Sequence, residues 1–247
     1  MARGAVVLAL VAVSACTVPG PGDVENGIFD PYEDANRARH ERGKRSDTRF
    51  LRPVAMAYVD AVTEGVQTNV SNLADTASLP KTVVNQVLQG RLGDATRNTV
   101  RFAINATLGF AGLADVASDM GLPRDKSDFG ETLFVWGLPE GAYLELPLLG
   151  PSTERDAAGE VVDLFLNPFG AIVPAPERYV YTVAKVGDTL TERGRFAGTV
   201  DSILYESADS YSQLRLIYLQ NRRFELGDDT AMSAEDEDPF ALDTEGF

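Results

Sequence analysis

Apolar side chains recur along most of this chain every three to four positions, the repeat that lines one face of an α-helix. Val54, Tyr58 and Val62 make one such row behind Pro53, a residue suited to a first helical turn. Val66, Val70, Leu73 and Ala77 make the next. Pro80 reads as the start of a separate short helix, with Val83, Val84, Val87 and Leu88 on its apolar side and Gly90 as its stop. Asp94 is the expected cap of a longer helix through Val100, Ile104 and Leu108, and Gly109 and Gly112 interrupt the chain beyond it. Phe129, Leu133 and Trp136 stripe a helix over residues 126–136, flanked by two Gly-Leu-Pro turns. Ser152 reads as the cap of a helix carrying Ala158, Val162 and Phe165, which ends before Pro168. Tyr179, Val183, Val186 and Leu190 align in residues 176–190, and residues 199–226 hold one or two further helices. Asp34 is placed as the cap of a basic helix that begins near Asn36. Residues 142–149 fit an extended segment as well as a loop; no other segment alternates like a strand, and no repeat of fixed period occurs. The expected fold is all-α, built from many short amphipathic helices.

The N-terminus reads differently. Residues 1–15 have the layout of a secretory signal peptide: Arg3, an unbroken apolar run over 5–13, then Ser14 and Ala15. The run is too short to cross ~30 Å of hydrocarbon. Val13-Ser14-Ala15-Cys16 resembles the lipobox of bacterial lipoproteins. That likeness implies a diacylglycerol thioether on Cys16, cleavage just before it and acylation of the new amine. One acyl chain binds a bilayer marginally, whereas three make detachment negligible. Thr17 in place of an aspartate implies, by the same likeness, export to the outer membrane. Residues 16–29, with Pro19, Gly20, Pro21 and Gly22, are expected to be a lipidated N-terminus and short tether.

Charge and chemistry narrow the picture. The net charge of −15 argues against a nucleic-acid partner. Residues 227–247 carry Asp228, Asp229, Glu235, Asp236, Glu237, Asp238, Asp243 and Glu245 with no lysine or arginine, so an acidic disordered tail is expected there, after a helical domain over 30–226. A single cysteine rules out an internal disulfide and any site built from several thiolates; no metal and no cofactor are expected. His40, the only histidine, lies in a basic segment and is expected to be solvated, with no partner for a triad. No G-x-S-x-G, H-E-x-x-H or P-loop pattern occurs. Asp128-Phe129-Gly130 copies a kinase triplet without the companions that would give it meaning, and Asp163 with Glu160 reads as surface charge. No catalytic residue is expected. Two segments keep two readings each. The basic residues between Arg37 and Arg52, Arg42, Lys44 and Arg45 among them, form either a solvated face or a contact for lipid phosphates. Residues 103–117, the most apolar stretch after the signal, belong either to the core or to a membrane interface.

Several blocks carry a family likeness. They are Asp30-Pro-Tyr-Glu-Asp-Ala-Asn-Arg37, Leu51-Arg-Pro-Val-Ala55 with Tyr58, Val84-Asn-Gln-Val-Leu-Gln-Gly90, Asn98-Thr-Val-Arg-Phe-Ala-Ile-Asn105, Asp128-Phe-Gly-Glu-Thr-Leu-Phe-Val-Trp-Gly137 and Leu146-Pro-Leu-Leu-Gly-Pro-Ser-Thr153. In their order and spacing from Asp30 to about Gly227 the chain resembles the MlaA (VacJ) family of phospholipid-trafficking lipoproteins. The resemblance implies a ring of interfacial helices in the inner leaflet of the outer membrane around an amphipathic channel, with trimeric porins as partners. It implies extraction of phospholipid misplaced in the outer leaflet, delivery to a soluble periplasmic carrier, and no covalent chemistry. Asn36, Arg37, Phe129, Glu131 and Trp136, which sit in the densest matching blocks, become the lipid-channel candidates; Arg42, Lys44 and Arg45 become headgroup-contact candidates. The chain departs from the family over residues 38–47, where a Phe-, Leu- and Met-rich helix is usual and almost no apolar side chain is present. That departure keeps open an alternative: an envelope tethering or scaffold lipoprotein that moves no lipid.

Overall fold

The computed structural model of the protein describes residues 17–20, 22–24, 27–147, 149–166, 168, 173 and 177–228. Cys16, the signal segment and residues 229–247 of the acidic tail lie outside them. The order is α1 (Glu33–Ser46), a π-helical turn (Asp47–Leu51), α2 (Arg52–Ala61), α3 (Glu64–Leu88), α4 (Leu92–Thr107), α5 (Val116–Asp119), α6 (Phe129–Val135), β1 (Tyr143–Leu146), β2 (Gly150–Thr153), α7 (Glu154–Leu166), α8 (Glu177–Arg195), α9 (Ala197–Asp201), a second π-helical turn (Ser202–Glu206) and α10 (Ser210–Leu226). Among the described residues no helix is long and apolar enough to cross a membrane.

Several boundaries differ from the sequence expectation, each for a local reason. Pro80 lies inside α3 instead of starting a new helix. Proline removes one backbone donor and crowds the preceding turn. Here α3 packs along α4 and α8, and that tertiary support carries the helix through. Ser152 lies in β2; Thr153, one residue on, is the side chain that caps α7, its Oγ1 accepting the Asp156 N–H at 3.2 Å. Asp34 and Asp94 fall within the first turns of α1 and α4, where their charge suits the helix dipole without capping. Asp128 is the cap of α6, its Oδ1 accepting the Glu131 N–H at 2.8 Å. Within residues 142–149, Tyr143–Leu146 are extended as β1, which pairs antiparallel with β2, Tyr143 opposite Thr153. The Phe29 carbonyl accepts the Tyr143 N–H at 2.9 Å, which ties the N-terminal segment to the hairpin. At the start of that segment, the Glu154 carboxylate accepts both the N–H and the hydroxyl of Thr17 at 2.6 Å.

The packing inverts the usual arrangement of a water-soluble domain. Buried positions include Asn36, Gln67, Asn85, Gln86, Asn98, Asn105, Arg101 and Arg155, while the buried apolar set is largely alanine. On α8, Tyr179, Val180, Val183 and Val186 form one exposed stripe, and on α7 Val161, Leu164 and Phe165 form another, with Leu164 79% exposed. On α4, Leu92 and Val100 are likewise exposed, as is Leu108 at its C-cap, and in the loop beyond, Phe110 is 78% exposed on left-handed backbone. Residues 103–117 therefore divide: Asn105 and Ala117 are interior, Leu108, Phe110 and Leu113 exterior. Scattered exposed apolar residues are ordinary, but polar side chains at interior positions on helices whose apolar stripes face out are not.

Candidate functional site

Burying these polar groups is tolerable because each element brings hydrogen-bond partners for the next. Asn36, fully buried on α1, donates through Nδ2 to the Tyr143 carbonyl at 3.0 Å and to Asp30 at 2.9 Å, and accepts the Glu145 N–H at 3.0 Å. Asp30 also accepts from Tyr211 and Arg215 of α10. Burial, with the Asp30 carboxylate held against its hydroxyl, pushes the Tyr211 pKa well up. One small polar cluster thus joins α1, β1, α10 and the segment leading into α1.

Through Tyr211 this cluster adjoins a cleft of about 390 Å³. Arg37, His40, Glu41 and Lys44 of α1 face the 207–211 segment across it. Arg37 is fully engaged: it donates to Glu33 at 2.7 Å, to both Asp209 carboxylate oxygens at 3.0 and 2.9 Å, and to Ser212 at 3.1 Å. Those contacts, the Arg37 hydrogen bond first, hold the Asp209 carboxyl far below the usual range. His40 is buried, contrary to the solvated histidine expected from its basic neighbours. Its Nε2 lies 3.0 Å from Ser210 Oγ and its Nδ1 3.5 Å from Glu145, whose other oxygen accepts the Tyr143 hydroxyl at 2.6 Å. Asn36 and His40 sit one turn apart, so a polar face of α1 points inward while its charged neighbours Arg42 and Arg45 point to solvent.

A second network surrounds the remaining sequence candidates. Glu131 accepts from Arg91 at 2.8 Å and from Ser127 at 2.5 Å. Phe129 is buried and meets Trp136 edge to face with ring centroids 5.6 Å apart. Trp136 is half-exposed and donates its indole N–H to the Leu88 carbonyl at 3.2 Å. Asp163, expected on the surface, is buried instead. It accepts from Lys81 at 3.0 Å, from Asn85 at 2.9 Å and from the Phe129 N–H at 3.2 Å, while Glu160 is exposed. Arg222 of α10 bridges Asp128 and Asp156, with hydrogen bonds of 2.8 to 3.1 Å. Burial alone would raise the Asp156 pKa; the charge and hydrogen bonds of Arg222, with Arg155 and Tyr218, outweigh it and lower the value.

The five channel candidates therefore do not converge on one wall. Arg37 lines the α1–α10 cleft and Asn36 is buried behind it against β1; Phe129, Glu131 and Trp136 belong to the α3–α6 side. Asp30, Glu145, Ser210, Tyr211 and Arg222 escaped sequence reasoning. A signal for the polar interior did exist: Asn98, Arg101 and Asn105 have the spacing of a core stripe, in polar residues. Among the described residues no group of three or more His, Cys, Asp or Glu is arranged to hold a metal ion.

Comparison with known proteins places this architecture. A family model described as MlaA lipoprotein matches residues 28–225. An uncharacterised protein of Rickettsia conorii is 37% identical over 151 residues, an alignment that spans 60% of this chain and only 60% of that relative. The intermembrane phospholipid transport system lipoprotein MlaA of Escherichia coli strain K12 is 29% identical over 208 residues, covering 82% of this chain and 80% of the relative. A chain solved in work on the structural basis for maintenance of bacterial outer membrane lipid asymmetry superposes with a TM-score of 0.66 at 28% identity, covering 80% of this chain and 98% of that one. With a matching, mainly helical fold and a family match across nearly all of the described body, this chain belongs to the MlaA lipoprotein family.

Proposed function

We propose that the protein is an outer-membrane lipoprotein of intermembrane phospholipid transport, anchored through acylated Cys16 on the periplasmic face. In this reading it extracts phospholipid misplaced in the outer leaflet, works beside a trimeric porin and hands its cargo to a soluble periplasmic carrier. The observation that carries the reading is the inverted polarity of the fold. Exposed apolar stripes on α4, α7 and α8 suit short helices lying in a bilayer interface, and a polar interior, largely hydrogen-bonded but with free atoms left on Asn98, Arg101 and Arg155, suits passage of a headgroup. The E. coli relative, an intermembrane phospholipid transport lipoprotein by name, supports the same direction.

Within this reading Arg37, Glu131 and Trp136 meet the lipid, since each reaches solvent, whereas Asn36 and Phe129 hold the hairpin and Trp136 in place. Arg42 and Arg45, exposed on the polar α1, face anionic headgroups and contribute about 1 kcal/mol each at low salt. Mass spectrometry of the full chain extracted from membranes tests the proposal. Expected are three acyl chains on Cys16 and co-purifying phospholipid; an unmodified thiol with no lipid would overturn it.

One arrangement favours a second reading, ester hydrolysis: Ser210 and His40 line the cleft, with buried Glu145 behind the His40 ring. Release of fatty acid from phospholipid by the purified chain, abolished by Ser210→Ala, would establish it. No release from the unsubstituted chain removes it.

A further inference from the structure

The α1–α10 cleft contains two charges that lie outside any ion pair among the described residues. Arg37 and Asp209 neutralise each other there. Glu41 and Lys44, three residues apart on the same wall, have no ion-pair partner among the described residues. The closest polar contact of the Lys44 ammonium is Ser210 Oγ at 3.5 Å, and it stands 5.9 Å from the centre of the Tyr205 ring. Ser210 is the first residue of the 17-residue helix α10, whose first backbone N–H groups have no partner within the helix. Of those N–H groups, the Asp209 side chain serves only that of Ser212, at 3.1 Å.

Charge balance selects the ligand. The lining holds two cations, Arg37 and Lys44, and two carboxylates, Glu41 and Asp209. A purely anionic ligand would meet the carboxylates, and a purely cationic one the ammonium. A small zwitterion meets both with opposite ends. A volume of about 390 Å³ is near the lower end for small-molecule sites, enough for a headgroup and too little for two acyl chains.

We propose that this cleft is a subsite for a zwitterionic phosphoethanolamine headgroup, its phosphate on Lys44, Ser210 and the start of α10 and its ammonium on Glu41. The proposal rests on the lipid-transport reading and names the headgroup class for it.

The test is calorimetric titration of the full chain in detergent with dihexanoyl phosphatidylethanolamine, dihexanoyl phosphatidylglycerol, glycerophosphoethanolamine and inorganic phosphate. The ethanolamine lipid is expected to bind about tenfold more tightly than the glycerol lipid, one charge-assisted contact being the difference. Glu41→Gln should erase that preference, and Lys44→Gln should weaken both lipids by about tenfold. Neither change unfolds the chain, because Glu41 is exposed and Lys44 half-exposed. Glycerophosphoethanolamine should displace the lipid, which assigns the contact to the headgroup. Inorganic phosphate competing as well as the ethanolamine compounds would make this a simple anion site and overturn the proposal. So would equal affinity for the two lipids, or affinity indifferent to Lys44→Gln. Should both variants still co-purify phospholipid of unchanged headgroup composition, the cleft assignment fails and lipid transport stands. Absence of lipid from the unsubstituted chain would instead count against transport itself.

Discussion

Where α10 meets α6 and α7, the contact is made by charge. Arg222 spans Asp128 and Asp156, Tyr218 adds a hydrogen bond to Asp156 at 2.8 Å, and Gly159 lies so close to α6 that an added Cβ would sit 2.3 Å from the Gly130 nitrogen. Where α8 crosses α2 and α3, Arg195 adds hydrogen bonds to Gln67 and Thr68 at the end of the crossing, but along its length the contact is made by absence of bulk. A Cβ on Gly194 would fall 2.4 Å from a Val59 methyl, and one on Gly187 would fall 2.7 Å from a Val70 methyl. The first region is a directional knot with a fixed geometry. The second is close helix packing through small residues, the solution used where the surroundings are themselves apolar. The contrast teaches why the outward stripe of α8 can be apolar. That layer does not draw its cohesion from hiding its own valines, so those valines remain available to an interface outside the molecule.

Removing the knot's central cation should do the most damage. Arg222→Ala leaves Asp128 without its cation and buried Asp156 with only Arg155 and Tyr218, and deleting one member of a buried charge pair costs about 3–5 kcal/mol. The midpoint of chemical denaturation should fall accordingly, followed through the fluorescence of the single tryptophan, Trp136, which stands against Phe129 of α6. A loss below about 1 kcal/mol, the range of exposed pairs, would mean the bridge is a solvated surface feature and the knot is held otherwise. Gly194→Leu attacks the other region. Overpacking a tight contact costs about 1–3 kcal/mol, and hydrogen exchange should accelerate in α8 and α2 while α6, α7 and α10 keep their protection. Equal acceleration in both regions would mean the two are a single cooperative unit.

Much of this was legible in the sequence, and what was missed has a common cause. Periodicity tells which residues share a helical face. It placed α8 from Tyr179, Val183 and Val186 and α4 from Val100, Ile104 and Leu108. It does not tell which face is inside. In a soluble domain the apolar face is the inner one; here Asn98, Arg101 and Asn105 take the inside and Leu92, Val100 and Leu108 the outside. The same inversion hid His40 and Asp163, which read as surface charge because polar neighbours usually mean water. Partners such as Asn36 and Glu145, or Asp30 and Arg215, lie more than 100 residues apart, so no local pattern announces them. Pro80 misled for the opposite reason. A strong local breaker was overridden by tertiary packing that the local pattern does not contain. The family blocks were legible throughout because they are read as blocks, without needing to know which way they face.

Acidification gives the smallest effect near neutrality and the sharpest separation of the two regions. Asp156 has a folded pKa below its ordinary value of about 3.9, so its contribution is fully present above that value and is lost as pH falls through the lower folded value. Stability followed at Trp136 should therefore be flat from pH 7 to 5 with respect to this group and should decline below about pH 4. The Gly187 contact with Val70 contains no titrating group, whereas Arg193 beside Gly194 pairs with Asp47, whose carboxyl is also held low, so protection around Gly187 in the middle of α8 should outlast both the Arg193 end and α6 and α7 on the same acid series. In Arg222→Ala the cause of the depression is largely gone and burial, which raises the pKa of Asp156, is left opposed by Arg155 and Tyr218. The acid decline should then flatten, because a buried aspartate no longer held charged by its partner binds its proton with little penalty to the fold. An unchanged decline in that variant would place the acid sensitivity outside the knot, with Asp115 and Asp209, whose pKa values are also lowered, as the next groups to substitute.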